Sequence, residues 1–134
     1  MRVFILLVMT IGWLGANTVK DYDTGLMWQD NSDAKTIKRD WQGAKAYCQE
    51  LTLTGYSDWR LPTIKELHSI VDITREYPAI KKIFKNVASK DYWSATEYLP
   101  YAKKAWRVDF GVGSSYHAAD MFKEFFVRCV RGRQ

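Results

Sequence analysis

The chain has 134 residues, enough for one ordinary domain. Aromatic residues make up 15% and charged residues 26%, interleaved along the chain, which excludes a disordered or low-complexity polymer. The net charge of +5 is uneven: residues 1–80 carry nine Lys/Arg against ten Asp/Glu, and residues 81–134 carry eleven against five. In a cytosolic protein that excess would suggest nucleic acid. In an exported one it suggests an anionic glycan, the cell envelope or an acidic protein. Solvated surface charge with no partner is the competing explanation.

The first element points to export. Arg2 precedes an almost wholly apolar run, Val3 to Leu14, followed by Gly15 and Ala16. About twelve apolar residues are short of the ~20 that span a bilayer, and this order is that of a secretory signal peptide. Residues 1–16 are therefore read as a signal peptide cleaved after Ala16, and residues 17–134 as a single domain with no stable membrane span. A buried first strand is the alternative for the leader. With export, the two cysteines, Cys48 and Cys129, are most simply one structural disulfide. Neither lies in a CxxC motif, so redox or zinc chemistry is disfavoured.

VKDYDTGLMWQD predicts a hairpin, with strands at 18–22 and 26–30 and a turn at Asp23-Thr24-Gly25. DNSD, Asp30 to Asp33, reads as a capped turn. Trp41, Ala44, Cys48 and Leu51 share one helical face, with Asp40 as N-cap and Gly55 just past the end. Cys48 then points inward from this helix. In GYSDWRLPTIKEL, Pro62 keeps Leu61 extended, and Thr63 with Glu66 forms a capping box. Ile64, Leu67, Ile70 and Val71 line the second helix. Asp58 is expected to bond its own backbone, and Arg60 to hold loop carbonyls or a carboxylate. Trp59 and Leu61 are expected in or near the core. The cluster Asp58, Trp59, Arg60, Pro62, Thr63 and Glu66 is thus read as scaffolding, because no poised proton carrier lies at a convincing spacing.

Beyond Val71 the chain turns irregular and basic. KKIFK predicts one short helical turn, DYWSAT a strand entry, and EYLPYAKK a loop. AWRVDFGVG predicts a strand with Trp106, Val108 and Phe110 on one face and Arg107 and Asp109 on the other. FKEFFVRCVRG is apolar on both faces, which predicts one central strand carrying Cys129. Arg128 on it is expected to be a buried partner for a carboxylate. His68 and His117 sit in different segments, with His117 expected to be exposed after a Gly-Ser-Ser loop. No nucleophile–base arrangement is suggested by order or spacing.

In this order, TGLMWQD, DWQGAKAYC, GYSDWRLPTIKEL, SIVD, YWSAT, AWRVDF and VRCVRG resemble the Lcl C-terminal domain family, named for the C-terminal part of a collagen-like adhesin of Legionella. The resemblance runs from about Val19 to Gly132. It implies an α+β, C-type lectin-like fold: two helices, a small mostly antiparallel sheet, and a long irregular region at about 72–104. A cysteine on the first helix paired with one near the last strand is part of that pattern. Calcium-dependent sugar-binding relatives of this fold use Glu-Pro-Asn or Gln-Pro-Asp with Trp-Asn-Asp. Here Glu97-Tyr98-Leu99-Pro100 and Trp106-Arg107-Val108-Asp109 lack the needed oxygen pairs, so no metal and no cofactor are expected. Formylglycine-generating enzymes share the broader fold but need reactive cysteines, which the structural pair does not supply.

The resemblance implies a non-catalytic adhesion module, with sulfated glycosaminoglycan as one ligand class. The candidate ligand-binding residues are Lys103, Lys104, Arg107, Arg131 and Arg133, with Tyr98 and Tyr101 as stacking surfaces. The expected partner is a sulfated or otherwise anionic polysaccharide, or an envelope protein, without nucleic acid. Collagen-like Gly-X-Y repeats are absent from the chain, so avidity would come from homo-oligomers. Two alternatives stand: a periplasmic structural or protein-interaction domain, and an enzyme of the formylglycine-generating type. The location is expected to be periplasmic, secreted or at the cell surface.

Overall fold

The computed structural model describes residues 17–132; the leader read at 1–16 and Arg133 lie outside the described residues. The hairpin forms as expected. Strands β1 (Thr18–Asp21) and β2 (Leu26–Gln29) pair antiparallel. The turn is closed by the Gly25 N–H on the Asp21 carbonyl at 2.7 Å. Gly25 adopts φ +80°, a conformation that costs glycine little. DNSD is a capped 3-10 turn, Ser32–Lys35, whose Asn31 side chain accepts from the Ala34 N–H.

After a short strand β3 (Lys38–Arg39), helix α1 (Trp41–Glu50) starts where Asp40 accepts the Gly43 N–H at 2.8 Å. Trp41, Ala44 and Cys48 are its buried stripe. The Trp41 indole donates to the Ser94 carbonyl at 2.8 Å. Cys48 is disulfide-bonded to Cys129, 81 residues away.

Helix α2 (Ile64–His68) opens with a complete capping box. Glu66 donates its N–H to Thr63 Oγ1 at 3.1 Å and accepts the Thr63 N–H at 2.9 Å. Arg60 then grips both Glu66 oxygens, at 2.8 and 2.9 Å, and reaches the Gly132 carbonyl at 3.2 Å. Burial pushes the Glu66 carboxyl up, but the Arg60 hydrogen bonds and charge and the Thr63 N–H outweigh it and hold it below the usual range. The helix is shorter than the apolar pattern predicts. At Ser69 the side-chain hydroxyl bonds back to the Glu66 carbonyl and competes with the helical ladder. Ile70 remains fully buried, and Val71 pairs with Ile80 in an isolated bridge.

The stretch 72–90 has no regular element, and KKIFK is a simple turn closed by Phe84 N–H on Lys81 O at 3.1 Å, not a helical one. Its order comes from side chains. Asp30 accepts the Lys85 and Asn86 N–H groups at 2.9 and 3.0 Å. Arg128, fully buried, donates to Asp30 at 3.2 Å and to the Gln29 and Asn86 carbonyls. The expected carboxylate partner of Arg128 is therefore Asp30.

Strands β4 (Asp91–Glu97), β5 (Lys104–Asp109), β6 (Ser114–Asp120) and β7 (Phe125–Phe126) join β3 in a five-stranded sheet, ordered β3-β7-β4-β5-β6. Two features depart from the sequence reading. Ser114–Asp120, to which the sequence reading assigned no strand and of which it read only the Gly-Ser-Ser start as loop, is an antiparallel partner of β5. FKEFFVRCVRG is not one central strand. It splits into β7 in the large sheet and β8 (Val130–Arg131), which completes a small sheet ordered β1-β2-β8. It is apolar on both faces because its two halves serve different sheets. Between them Val127, Arg128 and Cys129 are all fully buried.

The large sheet is covered on both faces. One core joins Tyr92, Val108 and Phe110 to Trp28, Leu67, Ile70 and Ile80. The other joins Trp93, Ala105 and Ala119 to Trp41, Cys48, Trp59 and Leu61. This α+β arrangement, two helices and antiparallel-dominated sheets, is compatible with a C-type lectin-like fold.

Candidate functional site

The central strand β5 carries Trp106, and its two neighbours bring a tyrosine to either side. Tyr98 directly follows β4, held by its N–H on the Lys104 carbonyl at 2.8 Å. Tyr116 lies on β6, beside Ala118, the cross-strand partner of Trp106. Tyr98 meets the indole at 4.8 Å and 86°, and Tyr116 meets it at 5.9 Å and 78°. Tyr101 extends the row beyond Tyr98 at 5.7 Å. His68, from the end of α2, adds a fifth ring 5.8 Å from Tyr116 and shares a 2.6 Å hydrogen bond with Ser115 Oγ. The four rings Tyr98, Tyr101, Trp106 and Tyr116 line a groove of about 360 Å³ together with Lys104, Arg107 and His117.

The groove is open. Tyr101 is 62% and Tyr116 52% exposed, and Trp106 is half-buried against the core. Two rim residues, Lys103 and Tyr116, sit at φ +69° and +66°, where side chains other than glycine are uncommon. Tyr116 falls where the β5–β6 register shifts, between Arg107 and Asp109.

The structure divides the cations that the sequence groups together. Lys103 stands next to Lys104 in the loop that forms one rim, not in strand register with Arg107, because β5 begins only at Lys104. Lys104 lies 5.9 Å from the Tyr101 ring centre and 3.8 Å from Asp120, a half-exposed pair too loose to bind it firmly. Arg107 also lines the groove, next to its cross-strand partner His117. It lies 3.0 Å from Asp91 Oδ1 and over the Phe125 ring at 5.2 Å. Burial pushes the Asp91 carboxyl up, the Arg107 charge opposes that, and Asp109 adds to it. Arg131 belongs to the small sheet, where it grips Asp58 at 2.6 and 3.0 Å and covers Tyr56 at 3.7 Å. The Arg131 hydrogen bond holds the exposed Asp58 carboxyl below its ordinary value. Asp58 thus braces the C-terminal strand rather than serving mainly its own turn.

Tyr98, Tyr101, Lys104 and Arg107 therefore line one groove, with Lys103 next to it in the chain, while Arg131 is engaged elsewhere with Asp58. Trp106, Tyr116 and His117 join the groove, and sequence reasoning assigned none of them to it. Trp106 followed the alternation expected of core, and the segment carrying Tyr116 and His117 showed no strand pattern. A larger opening of about 720 Å³ lies between residues 19–23, 72–75 and 81–83. Within it Lys81 bridges Asp21 at 3.3 Å and Asp23 at 3.1 Å, and Lys20, Arg75 and Lys82 also line it.

The Ser115–His68 contact brings together a hydroxyl and an imidazole, but no carboxylate among the described residues orients the other ring nitrogen, as nucleophilic catalysis requires. Among the described residues no group of three His, Cys, Asp or Glu is placed to hold a metal ion. No described helix is long and apolar enough to cross a membrane. The family model described as the Lcl C-terminal domain matches residues 17–131. No curated protein matches the chain.

Proposed function

The chain belongs to the Lcl C-terminal domain family, an adhesin-associated domain, and from that premise we propose that it is an exported, non-catalytic adhesion module for anionic polysaccharide. Residues 1–16 act as its signal peptide, and the oxidising compartment it reaches, periplasm or cell surface, suits the Cys48–Cys129 bridge. The observation that carries the reading is the exposed row of rings beside the Lys103–Lys104 rim. Rings supply large contact area at little conformational cost, and exposed apolar clusters rimmed by polar groups mark interaction sites. The two lysines supply unspecific attraction for sulfate or carboxylate groups. Arg107 and Arg131 already hold Asp91 and Asp58, which leaves the two lysines as the less engaged of the candidate cations.

The test is binding of the mature, oxidised protein to heparin and to desulfated heparin across a salt series, with and without chelator. Sulfate-dependent, salt-sensitive and chelator-insensitive binding is expected. Lys103→Glu with Lys104→Glu should abolish it, whereas Arg131→Glu should leave heparin affinity nearly intact in the folded fraction. Equal binding by the double lysine variant would overturn the reading. A protein partner in the envelope is the second reading. The pairing of Arg107 and Arg131 with carboxylates favours it, and it predicts association that salt does not weaken.

A further inference from the structure

We propose that the groove around Trp106 is a pyranose-stacking subsite, so that its ligand class includes uncharged polysaccharides of equatorially substituted hexopyranoses, with the anionic groups auxiliary. The inference rests on the reading of this groove as a glycan site and names what that site recognises first.

The argument starts from ring orientation. Two rings stacked face to face cover each other's π surface. Here Trp106 meets both Tyr98 and Tyr116 near the perpendicular, at 86° and 78°. In each pair the edge of one ring meets the face of the other, so no two of these three rings stack in parallel, and the exposure of Tyr101 and Tyr116 leaves ring surface open to a ligand. Such surface is the complement of a pyranose whose hydroxyls are equatorial, because that sugar presents its axial C–H groups as one apolar surface. The row continues to Tyr101 on the β4 side, 5.7 Å beyond Tyr98. Consecutive centroid spacings of 4.8 to 5.9 Å give an extended chain several contacts in succession.

Polar groups sit where sugar hydroxyls would need them. Lys104 and His117 line the same groove, and His117 is exposed on β6. The groove of about 360 Å³ lies at the small end of the roughly 300–1,000 Å³ typical of ligand sites. Charge alone does not account for the site. Of the two cations that line the groove, Lys104 is near Asp120 and Arg107 is paired with Asp91. The backbone adds an independent observation. Among the described residues four non-glycine residues adopt positive φ, and of them Tyr116 lines this groove and Lys103 directly precedes its lining residue Lys104. Strained conformations of this kind concentrate where a side chain must be presented in a set direction.

The experiment is calorimetric or affinity-gel binding of the oxidised protein to two uncharged probes, cellohexaose and chitohexaose, beside heparin. It is run at low salt and at about 1 M salt, where the Debye length falls to about 3 Å. Binding of an uncharged probe that persists at high salt is expected. Tyr101→Ala and Tyr116→Ala, both at exposed positions, should each weaken it about tenfold. Lys103→Glu, at a residue beside but not lining the groove, should change it less than threefold while weakening heparin binding. Trp106→Ala should remove both, and Trp106→Phe, which preserves a ring in the core, guards against simple unfolding. Heparin binding without binding of either uncharged probe would sink the stacking subsite and leave the anionic reading intact. Binding of neither class would sink both. Uncharged-probe binding that survives both tyrosine substitutions would place the sugar elsewhere and overturn the inference.

Discussion

At the residue scale, the side chains with local partners were legible and those with distant partners were not. Asp40 caps α1, and Thr63 and Glu66 cap α2, because each bonds a backbone N–H three residues away, a distance any sequence window contains. Asp58 finds Arg131 across 73 residues, and no local pattern announces that. Tyr47 is a further case. Its hydroxyl donates to Asp33 at 3.0 Å and accepts from Gln29 at 3.2 Å. Burial first, then the Asp33 hydrogen bond, push its pKa up to about 12. An unfolded tyrosine ionises near pH 10, so both states are neutral below that and Tyr47 makes stability fall as pH rises from about 10 to about 12. Tyr92, also pushed up by burial, acts in the same direction. Tyr47→Phe should be less stable at neutral pH by about 1 kcal/mol but should lose less stability above pH 10. Urea midpoints measured from pH 7 to 11.5 check it; parallel alkaline limbs for the two proteins would refute it.

At the element scale, the hairpin and both helix starts follow from periodicity and turn chemistry, whereas the C-terminal strands do not. β6 reads SSYHAAD, with little alternation and no β-branched residue, and it exists because β5 offers it a ladder. β7 and β8 are two residues each, too short to carry a pattern of their own. Their joint sits between two sheets and is pinned by Cys129 to α1. The bridge closes a loop of 81 residues, so its loss releases a large unfolded-state entropy. Reduction, or Cys48→Ala with Cys129→Ala, should lower stability by roughly 2–4 kcal/mol. Guanidinium melts with and without reductant measure this, and an unchanged midpoint would show that the segment between the sheets holds without its tether.

At the scale of the whole molecule, the device that joins the parts is Arg128. It is fully buried, contacts Gln29 and Asp30 from the hairpin and Asn86 from the irregular stretch, and lies over Phe84 at 4.9 Å. Removing it leaves the nearly buried Asp30 carboxylate without its cation. Arg128→Met should therefore cost roughly 3–5 kcal/mol, with Asp30→Asn in the same chain restoring part of it. Hydrogen exchange should show the amides of Lys85 and Asn86, which bond Asp30, opening first. Uniform loss of protection would mean that Arg128 is no local clamp. By itself the sequence determined the α+β reading, the family resemblance, the cysteine pair and both helix caps, because each rests on short spacings or on residue types. Only the tertiary structure decided which cations remain near the groove and which rings line it. Salt bridges such as Arg107–Asp91 and Arg131–Asp58, and a groove built from the strand-side residues Tyr98, Trp106 and Tyr116, depend on strand order and register, and those are set by contacts between segments far apart in the chain.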